Sequence, residues 1–445
     1  MSGLRRGLGL TSAASLNIAN MIGTGVFLKA RVMTCNVESP GAVLAVWGAA
    51  ALLVLAGALT YAELAAMMPR AGGEYAFLRH TYGRLWGFLY GWMYSLVSRG
   101  ASLAAQAVAT ALFFNILLGG GLTGWQLTAV SIGAVALAAG INCAAVSATG
   151  RVATALSAVK IAAVFAVGAG ALMFARGDWM HYALSGAAGA CEGVAAAARG
   201  GVSGFAAAML GALWAFQGWA NFTPLAGEVR DPQRNIPGAF FAATTVVAAL
   251  YVLANAAYFY ALSPSAIADL PATASVATEV LRQFLGRAAG GVMAMAMMIS
   301  SFGALHSGVA ATARVPYAMA ADGLFFPAFA RLSARGVPVI AVAFVAVWPA
   351  MLAVSGSYDK LTDWAMFFMW LFYALNAACV IVLRRREPDA ERPYRVWGYP
   401  VVPVLFLLVT AWILINTLWT APVPTLVGLG VMLAGLPFYR YWTRG

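Results

Sequence analysis

The sequence predicts an all-α membrane protein of about twelve transmembrane helices, on three observations. Of its 445 residues 62% are hydrophobic and only 9% charged, whereas a soluble chain carries charge on about a quarter of its residues. The apolar residues gather in runs of about twenty, the length a helix needs to cross a hydrocarbon core about 30 Å thick. Lys and Arg cluster between the runs, more densely on every second connection.

The first run covers residues 8–28 and follows Arg5 and Arg6. Its flank is that of a leader peptide, but the run is long enough to span and lacks a small-residue cleavage site, so we read it as the first span. Runs at 41–62, 85–117, 122–148 and 152–175 follow. The sixth covers 202–226, and 238–262, 288–313, 337–354 and 364–383 come after it. Runs at 401–418 and 423–438 complete the set, and the longest connections, 176–201 and 263–287, leave no room for a soluble domain.

Counted on this topology, 18 Lys and Arg lie on the side of the termini and 7 on the other, with Arg99 and Lys160 inside spans. The positive-inside rule then puts both termini in the cytoplasm, in a multi-pass protein of the cell (inner) membrane. The net charge of +12 is explained by this bias, and no basic run with interleaved aromatics points to nucleic acid. Cys143 and Cys379 sit inside apolar runs as small hydrophobes. Cys35 and Cys191 fall on the same side of the membrane, which permits a disulfide. No spacing resembles a metal or redox site, so neither metal nor cofactor is expected.

Two spans carry irregular centres. Met21, Ile22, Gly23, Thr24 and Gly25 put two glycines at mid-membrane in the first, and Trp214, Ala215, Phe216, Gln217, Gly218 and Asn221 surround a glycine in the sixth. One such glycine reads as close helix packing. Two, five spans apart at matching places in two halves, read as the paired helix breaks of an inverted-repeat transporter, with substrate held between them. An enzyme would need a nucleophile–base pair or metal cluster, and three unpaired histidines argue against one. A channel would need a continuous polar lining.

Several strings bear a family resemblance: NIANMIGTGVF, VESPGAVLAVW, TYAELAAMMPRAGGEYAFLRHTYG, ALWAFQGWANFTPLAGEVRDPQRNIPGA, SSFGALHSGVAATARVPYAMAADGLFFP and LRRREPDAERPYRVWGYP. Over residues 8–418 the chain resembles the amino acid–polyamine–organocation (APC) superfamily, and within it bacterial relatives of the L-type amino acid transporters. The resemblance implies a LeuT-like five-plus-five inverted repeat with discontinuous helices one and six. Residues 8–175 would form the first five-helix repeat, 202–383 the second, and 399–441 two accessory helices.

The chemistry of an amino acid agrees with this. Its carboxylate needs donors, which N–H groups at Gly23, Thr24 and Gly25 offer at the start of a half-helix. Its ammonium needs acceptors, and carbonyls freed at Met21, Ile22, Trp214, Ala215 and Gln217 are the candidates. Gly25→Val is accordingly expected to abolish uptake in a folded protein. By resemblance, the aromatic at Trp214 closes over bound substrate. Trp214 and Phe216 would leave room for a small side chain, while the neutral amide of Gln217 leaves side-chain preference open.

Lys160 sits at the middle of the fifth span, where an ammonium costs a few kcal/mol and needs partners. The resemblance implies that it stands where sodium-coupled relatives hold sodium, bridging helix one to helix eight, with Ser300 and Ser301 as its neighbours. Sodium-independent exchange of small neutral amino acids follows as the expected activity. A proton-coupled importer and a cationic amino acid or polyamine antiporter are the alternatives. Arg99 has no carboxylate to pair with, Glu63 and Glu74 lying too far along the second span. His306 is expected to bond between helices rather than relay protons. Glu228, Arg230, Asp231 and Arg234 form a charged cluster that is either a solvated loop or an inner gate. Nothing in the sequence speaks to oligomeric state.

Overall fold

A computed structural model describes residues 4–186, 189–272, 274–356, 358–420 and 422–443. Arg444, counted above on the side of the termini, lies outside the described residues. Among the described residues nine helices are long and apolar enough to cross a membrane. The other expected crossings are shorter: the interrupted first and sixth, and the ninth at Val339–Ser355.

The first crossing is two helices, α1 (Leu10–Met21) and α2 (Gly25–Val37). Ile22 turns extended at ψ 98° and ends α1. The second half runs past the expected end at residue 28, because Arg31 is received inside the protein, donating to the carbonyls of Leu270 and Glu192. Helix α3 (Pro40–Met67) opens with Ser39 accepting from the Ala42 N–H and proline at its first position, a capped start. A turn with positive φ at Gly72 and Gly73 leads to the short α4 (Glu74–Tyr82). Helix α5 (Arg84–Leu117) contains a π-helical segment at Met93–Ser98. Its Leu96 carbonyl takes a bond from the Trp348 indole at 2.7 Å.

Helices α6 (Trp125–Ala144) and α7 (Val146–Phe174) follow. Helix α8 (Gly201–Ala215) stops after fifteen residues, and a 3-10 turn at Thr223–Glu228 carries the chain on. Helices α9 (Pro232–Ala261), α10 (Val276–Leu285), α11 (Ala289–Thr312) and α12 (Arg314–Ala321) come next. Then come α13 (Val339–Ser355), α14 (Tyr358–Arg386), α15 (Val401–Thr420), α16 (Pro422–Leu433) and α17 (Leu436–Thr443).

Helix α1 is central, packed against α7, α9 and α11. Helix α9 also packs along α3, and α11 along α5. Of the most apolar eighteen residues of α3, 56% are buried, against 22% for the eleventh and twelfth crossings. Those last two therefore lie at the periphery. Outward-facing Leu52, Phe165 and Trp419 present the apolar surface that a bilayer solvates. Cys35 and Cys191 form a disulfide that ties α2 to the connection before α8. Among the described residues no His, Cys, Asp and Glu cluster could hold a metal.

Candidate substrate site

The two helix breaks face one cavity of about 330 Å³. Asn20, Met21, Gly23, Thr24 and Gly25 line it from the first break, and Trp214, Ala215, Gln217, Gly218 and Asn221 from the second. Gly218 has φ 103°, and a Cβ there would lie 2.5 Å from the Asn20 carbonyl oxygen, so only glycine lets the breaks approach. The N–H groups of Gly25 and Val26 open α2 ahead of its first bond, which Phe27 makes to Thr24 O, and Gly25 lies at this cavity.

The freed carbonyls are less available than the sequence implied. Lys160 Nζ donates to Ala19 O at 2.7 Å and to Ile22 O at 2.9 Å. Ser300 donates to the same Ile22 oxygen at 2.8 Å, which joins α7, α1 and α11 at one atom. Tyr251 on α9 sets its hydroxyl 3.0 Å from Met21 O and 3.1 Å from Ala215 O, bridging the two breaks. The Trp214 carbonyl receives the Gln217 N–H. Ile22 is buried and does not line the cavity, whereas Ser301 does. A backbone cut loose from helical pairing needs partners in an apolar interior, and the protein supplies several itself.

Two expectations are corrected. Phe216 is fully buried and packs on Trp47 and Tyr251, with ring centroids 5.9 and 5.0 Å away, so it braces the break rather than walling the cavity. A Cβ on Gly25 would lie 2.7 Å from Ala215 Cβ and 2.8 Å from Ala215 Cα. Gly25→Val therefore disturbs helix packing as well, whereas Gly23, which also lines the cavity, has open space around its Cβ direction.

Trp214 is 39% exposed and lies under the Lys29 ammonium, 4.7 Å from its ring centre. Gln217 donates to Met369 Sδ at 2.7 Å. The remaining wall is one that sequence reasoning missed: Tyr90, Met93 and Tyr94 from α5, with Phe368, Met369 and Phe372 from α14. Aromatics on several spans gave no sign of which ones converge. Tyr251 did carry a signal, since a tyrosine at mid-span needs a partner for its hydroxyl.

Arg99 and Glu74 line the same cavity, although, as expected, they do not pair. Glu74 follows the end of the second span, and the Gly72–Gly73 turn folds it inward. A Cβ at Gly73 would meet the backbone of Thr223 and Pro224 at 2.5 and 2.7 Å. Glu74 accepts from the Thr223 hydroxyl, while Arg99 Nε donates to Thr312 Oγ1 at 3.3 Å. Among the described residues no ion pair joins Arg99 to Glu74. Among the described residues five buried lining atoms have no hydrogen-bond partner: Asn20 Oδ1, Tyr90 and Tyr94 hydroxyls, Arg99 Nη2 and Gln106 Oε1.

Contacts on the side of the termini tie the charged cluster to the N-terminal segment. Glu228 and Arg314 form a fully buried bidentate pair at 2.5 and 3.0 Å. Leu8 pairs with Val229 as an isolated bridge, and the N–H groups of Gly7 and Leu8 donate to Glu228 O. The charged cluster is thus not wholly solvated: Glu228 is interior, while Arg230, Asp231 and Arg234 are exposed. His306 joins helices, its Nδ1 3.2 Å from Asn142 Nδ2 and its Nε2 3.2 Å from Thr149 O.

Comparison with known proteins agrees with this architecture. Residues 8–434 match the family described as amino acid permease. The rabbit (Oryctolagus cuniculus) large neutral amino acids transporter small subunit 2 is 30% identical over 451 residues, 99% of this chain and 81% of that protein. The serine/threonine exchanger SteT of Bacillus subtilis is 30% identical over 450 residues, 98% of this chain and 97% of that one. The mouse b(0,+)-type amino acid transporter 1 is 26% identical over 445 residues, 98% and 88% of the two chains. A helical membrane protein with paired helix breaks around one cavity, matched from end to end in this way, belongs to the amino acid permease family of the APC superfamily, with an L-type resemblance, and is a multi-pass amino acid transporter.

Proposed function

We propose that the protein exchanges neutral amino acids across the cell (inner) membrane without sodium, with both termini in the cytoplasm. The observation that carries this reading is the single cavity with both helix breaks in its wall. The N–H groups at Gly23, Thr24 and Gly25 take the substrate carboxylate, at the positive end of α2. Asn20 Oδ1 and the second break offer acceptors to its ammonium. Lys160 holds the first break by donating to two of its carbonyls and cannot leave as sodium can.

Neutral side chains are favoured because the far wall carries one guanidinium and one carboxylate, Arg99 and Glu74. A cationic substrate meets Arg99 and an anionic one meets Glu74. The unpartnered hydroxyls of Tyr90 and Tyr94 and the amide oxygen of Gln106 favour side chains that form hydrogen bonds. Similarity to a protein named as a serine/threonine exchanger supports small polar substrates. Glu74 also supports one second reading, proton-coupled import, since it is a carboxylate that faces the cavity.

Counterflow in proteoliposomes tests both, with labelled amino acids in sodium, potassium and choline media, with and without a pH gradient. Serine, threonine, alanine and glutamine should exchange in all three media, and arginine and tryptophan should compete poorly. Uptake that requires sodium would refute the proposal. Uptake driven by the pH gradient without internal amino acid would replace exchange with symport.

A further inference from the structure

A second cavity lies on the side of the termini, away from the substrate site, and measures about 460 Å³. Its lining includes Arg70, Arg79, His80, Arg84, Tyr317 and Asp322. We propose that it binds a phosphate-bearing anion, such as the headgroup of an acidic phospholipid.

The charge balance is the first argument. Among the described residues Asp322 is the only carboxylate in the lining, and it is already engaged, by Arg79 Nη1 at 3.2 Å and by the Tyr75 hydroxyl at 2.9 Å. Arg84 reaches only the Asp322 backbone carbonyl, at 3.5 Å. His80 faces Glu387 at 2.9 Å. Among the described residues the Arg70 side chain has no partner, and Arg79 Nε is buried without one. Three guanidiniums thus face a space holding one carboxylate.

The second argument is origin. Arg70 belongs to the turn after α3, Arg79 to α4 and Arg84 to the first residue of α5. Basic residues that merely satisfy the positive-inside rule would spread along solvated connections, whereas these three converge from separate elements. Guanidiniums match phosphate oxygens in shape and charge, and basic pockets between spans take acidic headgroups. Trp86, 37% exposed and packed on Tyr82 at 6.5 Å, sets an interfacial aromatic two residues beyond Arg84.

The site would also bear on gating. Its wall includes Ala318 and Ala321 of α12, whose first residue, Arg314, makes the buried pair with Glu228. An anion there links the turn after α3 to α12 while that pair is closed.

The test uses the full-length protein and Arg70→Gln, a change that removes no bond seen in the structure, followed by Arg84→Gln. Thermal midpoints are measured in phosphatidylcholine vesicles, in vesicles with added phosphatidylglycerol, and in phosphatidylcholine with inorganic phosphate, and retained lipid is read by native mass spectrometry. Phosphatidylglycerol should raise the wild-type midpoint by several degrees and be retained, with both effects reduced in each variant. An equal rise with inorganic phosphate, again lost in the variants, supports the same site with a soluble anion as its occupant. Identical midpoints and identical lipid retention in wild type and both variants would overturn the proposal.

Discussion

Gly23 and Gly25 stand two residues apart and are constrained by different neighbours. Gly23 faces open space, and Gly25 lies against the backbone of Ala215. Gly23→Ala should therefore leave the thermal midpoint nearly unchanged yet lower uptake about tenfold, the worth of about 1.4 kcal/mol of lost carboxylate binding. Gly25→Ala should instead lower the midpoint, because backbone has to move. Equal midpoints for the two variants would mean that both glycines serve the site alone. Arg99 offers a test of selectivity. Arg99→Gln removes the cation and leaves Glu74 facing the cavity, so arginine should become a better competitor relative to serine. An unchanged ranking in a competition assay would take Arg99 out of side-chain selection. The sequence showed Arg99 as a charge without a partner. It did not show Glu74 across the same cavity, because two glycines with positive φ turn the chain there, and a loop's direction is not written in hydropathy.

The interrupted first crossing is the element on which the site depends, and side chains of other helices hold it. Lys160 and Ser300 meet at Ile22 O, Tyr251 reaches Met21 O, and Ser157 donates to Ser15 O at 2.7 Å. Hydrogen bonds to charged groups contribute about 1.5–3 kcal/mol each. Lys160→Ala should thus abolish exchange and lower the thermal midpoint. Ser300→Ala should do less, since Lys160 still serves the Ile22 carbonyl. If Lys160→Ala exchanged normally, the bracing of α1 would rest elsewhere. Breaks in helices were legible because glycines at mid-membrane are conspicuous. The donors that satisfy the freed carbonyls were only partly so. Lys160 stands out as a charge, while Tyr251 is one tyrosine in a chain with 16. Helix bounds erred where charged residues enter the protein, as at Arg31, which hydropathy assigns to water.

For the molecule as a whole, the side of the termini carries a fully buried ion pair, Glu228 with Arg314. Removing one partner of such a pair costs about 3–5 kcal/mol, because the other charge is left in an apolar interior. Arg314→Met should lower stability by that order, and Glu228→Gln combined with Arg314→Met should recover part of it. The double variant should expose the first break to thiol reagents from the side of the termini, with a cysteine placed at Asn20 as the reporter. Protection equal to that of wild type would show that the Leu8–Val229 bridge seals that side by itself. The Cys35–Cys191 bond has a consequence of another kind. Such bonds persist in oxidising compartments and are rare where glutathione keeps thiols reduced. The end of α2 that carries Cys35 is then expected on the oxidising face, which gives the proposed orientation a chemical compass independent of its arginine count.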